Sequence, residues 1–406
     1  MRKTVVIIGA LDTKGIEFAY IKGLIEAAGL NTLTIHTGVL GPAFYLPEVS
    51  NEEIATLGGA DLQHLISTQD RGLAVETMMN GAIAKVIELH NKGQIDGIIG
   101  LGGSAGTTIG AAAMRSLPIG IPKVMVTTMA SGNTRPYVGM KDVTLFNSIV
   151  DISGLNRISR QMLANAANAL IGMVQGQALL ADIDKPLIAT TMFGVTTPCV
   201  DKARSYLEEQ GFEVLVFHGT GIGGQTMEHL IAAGFFAGVL DITTSELADD
   251  VAGGLLSAGP TRLTMAGQFG IPQVVSLGAL DMANFGPLET VPEQLRTRQL
   301  HQHNPNITLM RTNIAENKRL GELIASKLNR YPDRVSLYIP LKGVSALDKE
   351  GQPFNGPQED AALFQALREK LDPRIELVEL DNHINDEEFA LQMAKKLVFL
   401  INNQTI

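Results

Sequence analysis

The residues Ile95-Asp96-Gly97-Ile98-Ile99-Gly100-Leu101-Gly102-Gly103-Ser104-Ala105-Gly106-Thr107-Thr108 decide the fold class. An apolar run of strand length, Ile95–Gly100, enters a glycine-rich turn, and Ile109–Arg115 beyond it has helical spacing. Strand, tight turn and helix in that order form the repeating unit of a parallel α/β sheet. Its strands are covered on both faces and read as unbroken apolar runs. The same grammar extends outward in both directions. Val5–Ile8 is a strand that ends in Gly9, and Ile16–Ala28 follows as a helix. Thr32–Ile35 is a strand closed by His36-Thr37-Gly38, Glu76–His90 is a long helix, and Lys123–Thr127 is another buried strand.

The pattern then restarts. Leu187–Thr191, Val214–His218, Phe236–Ile242 and Pro272–Leu277 read as strands, with helices at Val200–Gln210 and Thr226–Ala233. Stretches of the two halves match in order. Thr34-Ile35-His36-Thr37-Gly38 pairs with Val216-Phe217-His218-Gly219, and Asp96–Gly100 with Ala237–Asp241. Gly120-Ile121-Pro122-Lys123-Val124 pairs with Gly270-Ile271-Pro272-Gln273-Val274. Both halves also open on an apolar strand and a turn, Ala10–Lys14 and Phe193–Thr197. The predicted fold class is α/β, with two Rossmann-like domains, parallel sheets and an internal duplication. Shared α/β grammar alone is the competing explanation. The polar stretch Ala181–Pro186 divides the domains, residues 1–182 and 183–406. The first half carries an insertion at Pro42–Asp70.

Composition limits the partners. At 406 residues the chain suits two cores. A net charge of −10 argues against bulk binding to a nucleic-acid backbone. The absence of Trp and an aromatic content of 5% argue against a base-stacking surface. The one cysteine, Cys199, excludes an internal disulfide and a multi-cysteine zinc site. No segment approaches membrane-spanning length, and Met1-Arg2-Lys3 runs straight into a strand without a leader pattern, so a cytoplasmic location is expected.

In open parallel sheets, ligands bind beyond the carboxyl ends of the strands. Gly102, Gly103 and Gly106 let a backbone approach phosphate, and the next helix offers free N–H groups; Ser104, Thr107 and Thr108 add hydroxyls. A tight turn without a ligand is the alternative, since the pattern is neither a Walker loop nor a strict dinucleotide fingerprint. Ser131-Gly132-Asn133, after the strand Lys123–Thr127, reads equally as a second wall or an Asn-containing turn. Asp12 or Thr13 reads as a helix N-cap, and Lys14 as a side chain reaching for an anion. Arg71 reads as a phosphate fork or a surface arginine.

In the second half, Asp241, Glu246 and Asp281 with His218 suit a metal or acid–base cluster that would act on a small acid in a cleft between the domains; helix caps and turns explain each singly. Asp241 and Asp281 follow different strands of one sheet, so convergence on a shared opening would support chemistry there. Cys199 near a helix start reads as a buried small hydrophobe, or as a thiol of lowered pKa. His301-x-His303 reads as exposed loop histidines or as ligands.

These residues together resemble the Tm-1-like ATP-binding family of bacteria, fungi and plants, whose plant branch includes the inhibitory domain of tomato's mosaic-virus resistance protein. The resemblance runs through Asp12-Thr13-Lys14, Asp70–Leu73, Gly100–Ser104 and Ser116–Lys123. It continues through Thr191–Val200, Asp241–Thr244, Gly278–Phe285, Lys342–Asp348 and His383–Asp386. It implies two Rossmann-like subdomains, a homodimer, and ATP bound to the first domain; magnesium is expected to accompany the ATP. It further implies that ATP is gripped around Asp12, Arg71, Gly103 to Gly106 and Asn156. Ala105 departs from the family by replacing a glycine, which is expected to shift the turn slightly. The plant protein's extra C-terminal barrel and its virus inhibition are not carried over.

Overall fold

The computed structural model describes residues 2–176 and 185–403. The chain falls into two compact units, Met1–Leu180 and Ala181–Ile406. Residues 181–184 of the boundary stretch read at Ala181–Pro186 lie outside the described residues.

The first unit is a parallel sheet of β1 (Thr4–Gly9), β2 (Asn31–His36), β3 (Gly97–Gly102), β4 (Lys123–Thr127) and β5 (Thr144–Asn147), ordered β2-β1-β3-β4-β5. Val5, Val6, Ile7 and Ile8 are all buried because alternate residues serve opposite faces. Val5 and Ile7 pack with Phe18, Ile21 and Leu170, while Val6 and Ile8 pack with Ile54, Met78 and Val86. The short, half-buried β5 carries no such run and was not legible in the sequence.

The second unit contains β6 (Leu187–Met192), β7 (Glu213–His218), β8 (Gly238–Thr243), β9 (Gln273–Gly278), β10 (Met282–Phe285), β11 (Leu300–Asn304), β12 (Ile307–Arg311), β13 (Val335–Pro340) and β14 (Glu376–Leu380). Six of them form a parallel sheet ordered β7-β6-β8-β9-β13-β14. Strands β10, β12 and β11 make a separate antiparallel sheet. Both units are Rossmann-like, and both parallel sheets begin in the same order. The matched stretches fall on equivalent strands: His36 ends β2 and His218 ends β7, Gly97 opens β3 and Gly238 opens β8, and Gly-Ile-Pro precedes β4 and β9. The insertion read at Pro42–Asp70 holds two short helices, Asn51–Leu57 and Leu62–Thr68. In the second unit β7 leads almost directly to helix Ile222–Ala232.

The sequence reading also left β10 to β14 unread, and it placed several helix starts late. The first helix runs Leu11–Ala27, so Asp12, Thr13 and Lys14 form its opening turn, and Ala10 is its N-cap. The helix after β3 begins at Ser104 and not near Ile109. Gly102 is therefore the last strand residue, and Ser104 to Gly106 are already helical. Small residues had disguised a helical turn as a loop. His301 and His303 lie on a strand, β11, where His301 meets the Phe354 ring edge-on at 6.0 Å.

Helix Arg71–Asn91 packs against Asn51–Leu57 through Gly81, where a Cβ would stand 1.9 Å from the backbone oxygen of Ile54. Backbone cannot yield as a flexible side chain does. Gly81→Val is expected to destabilise the first unit by about 1–3 kcal/mol, read as a lower denaturant midpoint with an unchanged slope.

Candidate ligand-binding site

The chain leaves β1 toward β2 on one side and, later, enters β3 on the other. At such a reversal the loops after the two strands diverge and leave a crevice at the carboxyl edge. A cavity of about 810 Å³ lies there, within the range of small-molecule sites. Ala10, Asp12, Thr13 and Lys14 line it from the end of β1, and Gly102 to Gly106 from the end of β3. Thr37 to Leu40 come from the loop after β2. Leu65, Ile66, Ala74, Val75 and Met78 supply an apolar wall from the insertion and the helix beyond it.

One end of the cavity presents backbone donors and two cationic side chains. Helix Ser104–Ser116 starts from Gly103 with no side chain capping it, so its first N–H groups and the positive end of its dipole stay available. None of Gly102, Gly103 and Gly106 has a positive φ; the glycines serve closeness rather than an unusual backbone. A Cβ on Gly102 would lie 2.8 Å from the Cα of Gly106. At Gly103 the nearest atom to a Cβ is Thr128 Oγ1 at 3.8 Å, so a side chain there has room in the fold. Ala105 sits in the first helical turn, where alanine is favourable.

Arg71 and Lys14 bring positive charge to the same cavity. Arg71 opens helix Arg71–Asn91, is exposed, and has no ion-pair partner among the described residues. Lys14 breaks the helical geometry of its helix and donates to the Ile152 carbonyl. Asp12 Oδ2 accepts from Leu40 N at 2.8 Å, while its Oδ1 is buried without a partner. Asp70 lines the cavity and caps its helix through Leu73 N. Asp151, which sequence reasoning missed, arrives on the loop after β5. That loop is pinned by Lys14 and by Glu17, which accepts from Gly154 N.

Four sequence candidates are placed elsewhere. Thr107 is fully buried, its hydroxyl 2.7 Å from that of Thr127. Ser131 and Gly132 lie on the exposed segment after β4, away from the cavity walls. Asn156 is the N-cap of helix Arg157–Gln175, accepting from Ile158 N and Ser159 N in a capping box. The spacing of Asn156 and Ser159 was a readable capping signal.

The second unit fills its own crevice. Arg262 is fully buried and donates to Asp241 at 2.5 and 2.8 Å and to Glu246 at 2.6 Å, with Glu228 at 3.6 Å. Glu246 also accepts from Gly221 N and Gly224 N at the start of helix Ile222–Ala232. Asp281 belongs to a different buried cluster: Ser345 Oγ donates to it at 2.7 Å. Burial, with Asp348 nearby, pushes its carboxyl up. Asp241 and Asp281 share no hydrogen-bond partner, contrary to the convergence expected of them. His218 is exposed, stacks on Phe193 and bonds to the Met192 carbonyl. Cys199 is buried, which pushes its thiol up and makes it inert. No group of three or more His, Cys, Asp or Glu among the described residues is arranged for a metal. No helix among them is long and apolar enough to cross a membrane. Removing Arg262 strands buried carboxylates, so Arg262→Met is expected to cost about 3–5 kcal/mol, seen as early melting of the second unit by hydrogen exchange.

Comparison with known proteins follows this division. Residues 3–179 match the N-terminal domain, and residues 185–401 the C-terminal domain, of "Uncharacterised protein family (UPF0261)". A "UPF0261 protein" of Clostridium tetani is 55% identical over 98% of this chain and 99% of its own length. "ToMV resistance protein Tm-1(GCR237)" of Solanum lycopersicum is 45% identical over 79% of this chain, but over 43% of its own length. Among solved structures, the UDP-N-acetylglucosamine 2-epimerase of Rickettsia bellii aligns over 100% of this chain and 97% of its own, at 10% identity and a TM-score of 0.24.

Proposed function

The chain belongs to the UPF0261 family, and we propose that it is an ATP-binding protein whose nucleotide occupies the cavity at the β1–β3 reversal. One observation carries this reading: an uncapped helix N-terminus, Lys14 and Arg71 meet in a cavity that also has an apolar wall. Phosphates suit the first end and a flat base suits the second. The triphosphate lies along Gly103 to Gly106, with Arg71 as its bidentate partner. The base rests against Leu65, Ile66, Val75 and Met78. Magnesium enters with the nucleotide, held chiefly by phosphate oxygens. A homodimer, supported by the Tm-1-like resemblance, and a cytoplasmic location complete the reading. The enzyme alternative draws no support from the second unit, where Asp241 and Asp281 lie in separate buried networks.

ATP at a hundred times its dissociation constant is expected to add about 2.7 kcal/mol of stability, read as a rise in Tm with and without magnesium. No shift at millimolar ATP in either condition defeats the proposal. Gly103→Val is expected to abolish the shift while the unliganded protein melts as before, because the new side chain projects into free space. Arg71→Ala is expected to weaken ATP much more than adenosine; equal losses would remove Arg71 from the phosphate site.

A further inference from the structure

We propose that His36 is a positioning residue for the cavity: its neutral ring ties together the loops after β1 and β2, and protonation of the ring releases them, so that the cavity loses its ligand in acid. His36 ends β2 and is 1% exposed. Its Nδ1 accepts from Leu11 N and from Gly38 N, both at 3.2 Å. A nitrogen that accepts twice carries no proton, so the neutral ring holds its proton on Nε2.

Gly38 lines the cavity, and Leu11 stands between two residues that do, Ala10 and Asp12. Leu11 is the first residue of helix Leu11–Ala27, whose N-cap is an alanine with no side chain to offer; the His36 ring caps it from the neighbouring strand. Gly38 lies so close to Asp12 that a Cβ on it would stand 2.1 Å from Asp12 Oδ1. Asp12 in turn holds Leu40 N. Ala10, Asp12, Gly38 and Leu40, all lining the cavity, thus depend on one ring nitrogen. A proton on Nδ1 would aim a donor at two donors.

The charged groups facing the ring are Asp12 and Glu52. Burial, the largest influence, holds the ring below the ordinary histidine pKa; Asp12, the Gly9 carbonyl and Glu52 pull the other way and lose. The unfolded chain takes up this proton near pH 6.5, about the value of a free histidine, and the folded chain resists it. The stabilisation is therefore complete above that pH and is lost as pH falls toward the folded value. His218 ends the equivalent strand of the second unit but is exposed, and its Nδ1 donates to the Met192 carbonyl. It serves as the internal control.

The inference rests on ATP as the ligand of the cavity. ATP binding is measured by calorimetry from pH 8 to pH 5 for the wild type, His36→Asn and His218→Asn. Asparagine sets an oxygen acceptor near the place of Nδ1 and does not titrate. At pH 8 the wild type and His36→Asn are expected to bind alike. In acid the wild type weakens relative to His36→Asn by up to about tenfold per pH unit, and the titration of ATP itself cancels in that ratio. His218→Asn follows the wild type. Parallel pH profiles for wild type and His36→Asn overturn the proposal. If no protein binds ATP at any pH, the nucleotide reading fails, and the ¹⁵N spectrum of the ring decides the role of His36. The same spectrum decides it if His36→Asn does not fold. A bare Nδ1 through the pH range in which free histidine titrates supports the role, and an Nδ1–H tautomer at pH 7.5 overturns it.

Discussion

The close passage of Gly102 over Gly106 is the constraint on which the first unit depends. With 2.8 Å between a notional Cβ and the Cα of Gly106, no other residue joins β3 to its helix so tightly. The strand passes into the helix through one residue, Gly103, and the helix's opening N–H groups arrive at the carboxyl edge of the sheet. Helices capped by Asp70, Asn156 and Asn313 have such groups satisfied by a side chain, and the helix after Gly103 does not. The site is a by-product of a short connection placed where the strand order reverses.

What surrounds that edge is rigid on one side and assembled on the other. Strands β1 and β3 pair directly, from Val5 with Gly97 to Ile8 with Gly100, so the two loops leave the sheet at a fixed separation. The apolar wall is different in kind. Leu65 and Ile66 come from a short helix of the insertion, and Ala74, Val75 and Met78 from the helix after it. The insertion therefore builds the half of the cavity that the strand–helix units leave open.

Strands β1 and β4 were legible because apolar runs such as Val5–Ile8 and Val124–Val126 demand burial on both faces, whereas β13 was not read, its run being interrupted by Ser336. The edge strand β5 and the antiparallel sheet of β10, β11 and β12 were not legible either, because Thr144–Asn147 is short and mixed and Leu300–Asn304 is almost wholly polar. Asp12, Lys14 and Gly102 to Gly106 were legible as strand-end residues, and Arg71 as a cation just before a helix. Leu65, Val75 and Met78 were not, since their contribution exists only once the insertion folds over the sheet. Thr107 and Asn156 show the opposite failure. Thr107 was named for its hydroxyl and Asn156 through the resemblance; Thr107 is bonded between helix and strand, and the exposed Asn156 caps its own helix.

Aligning β3 with β8 from Gly97 and Gly238 brings Ala105 opposite Glu246 and Gly100 opposite Asp241. Where the first unit has the smallest side chains, the second has carboxylates that grip Arg262. Glu246 already holds two backbone N–H groups at 2.7 and 3.0 Å. It behaves as a tethered ligand, bound to its own chain at an effective concentration of about millimolar or more. A free anion would have to outcompete a group that never diffuses away. The two units thus differ at two aligned positions: small side chains border an open cavity in the first, and carboxylates tethered to Arg262 fill the corresponding places in the second.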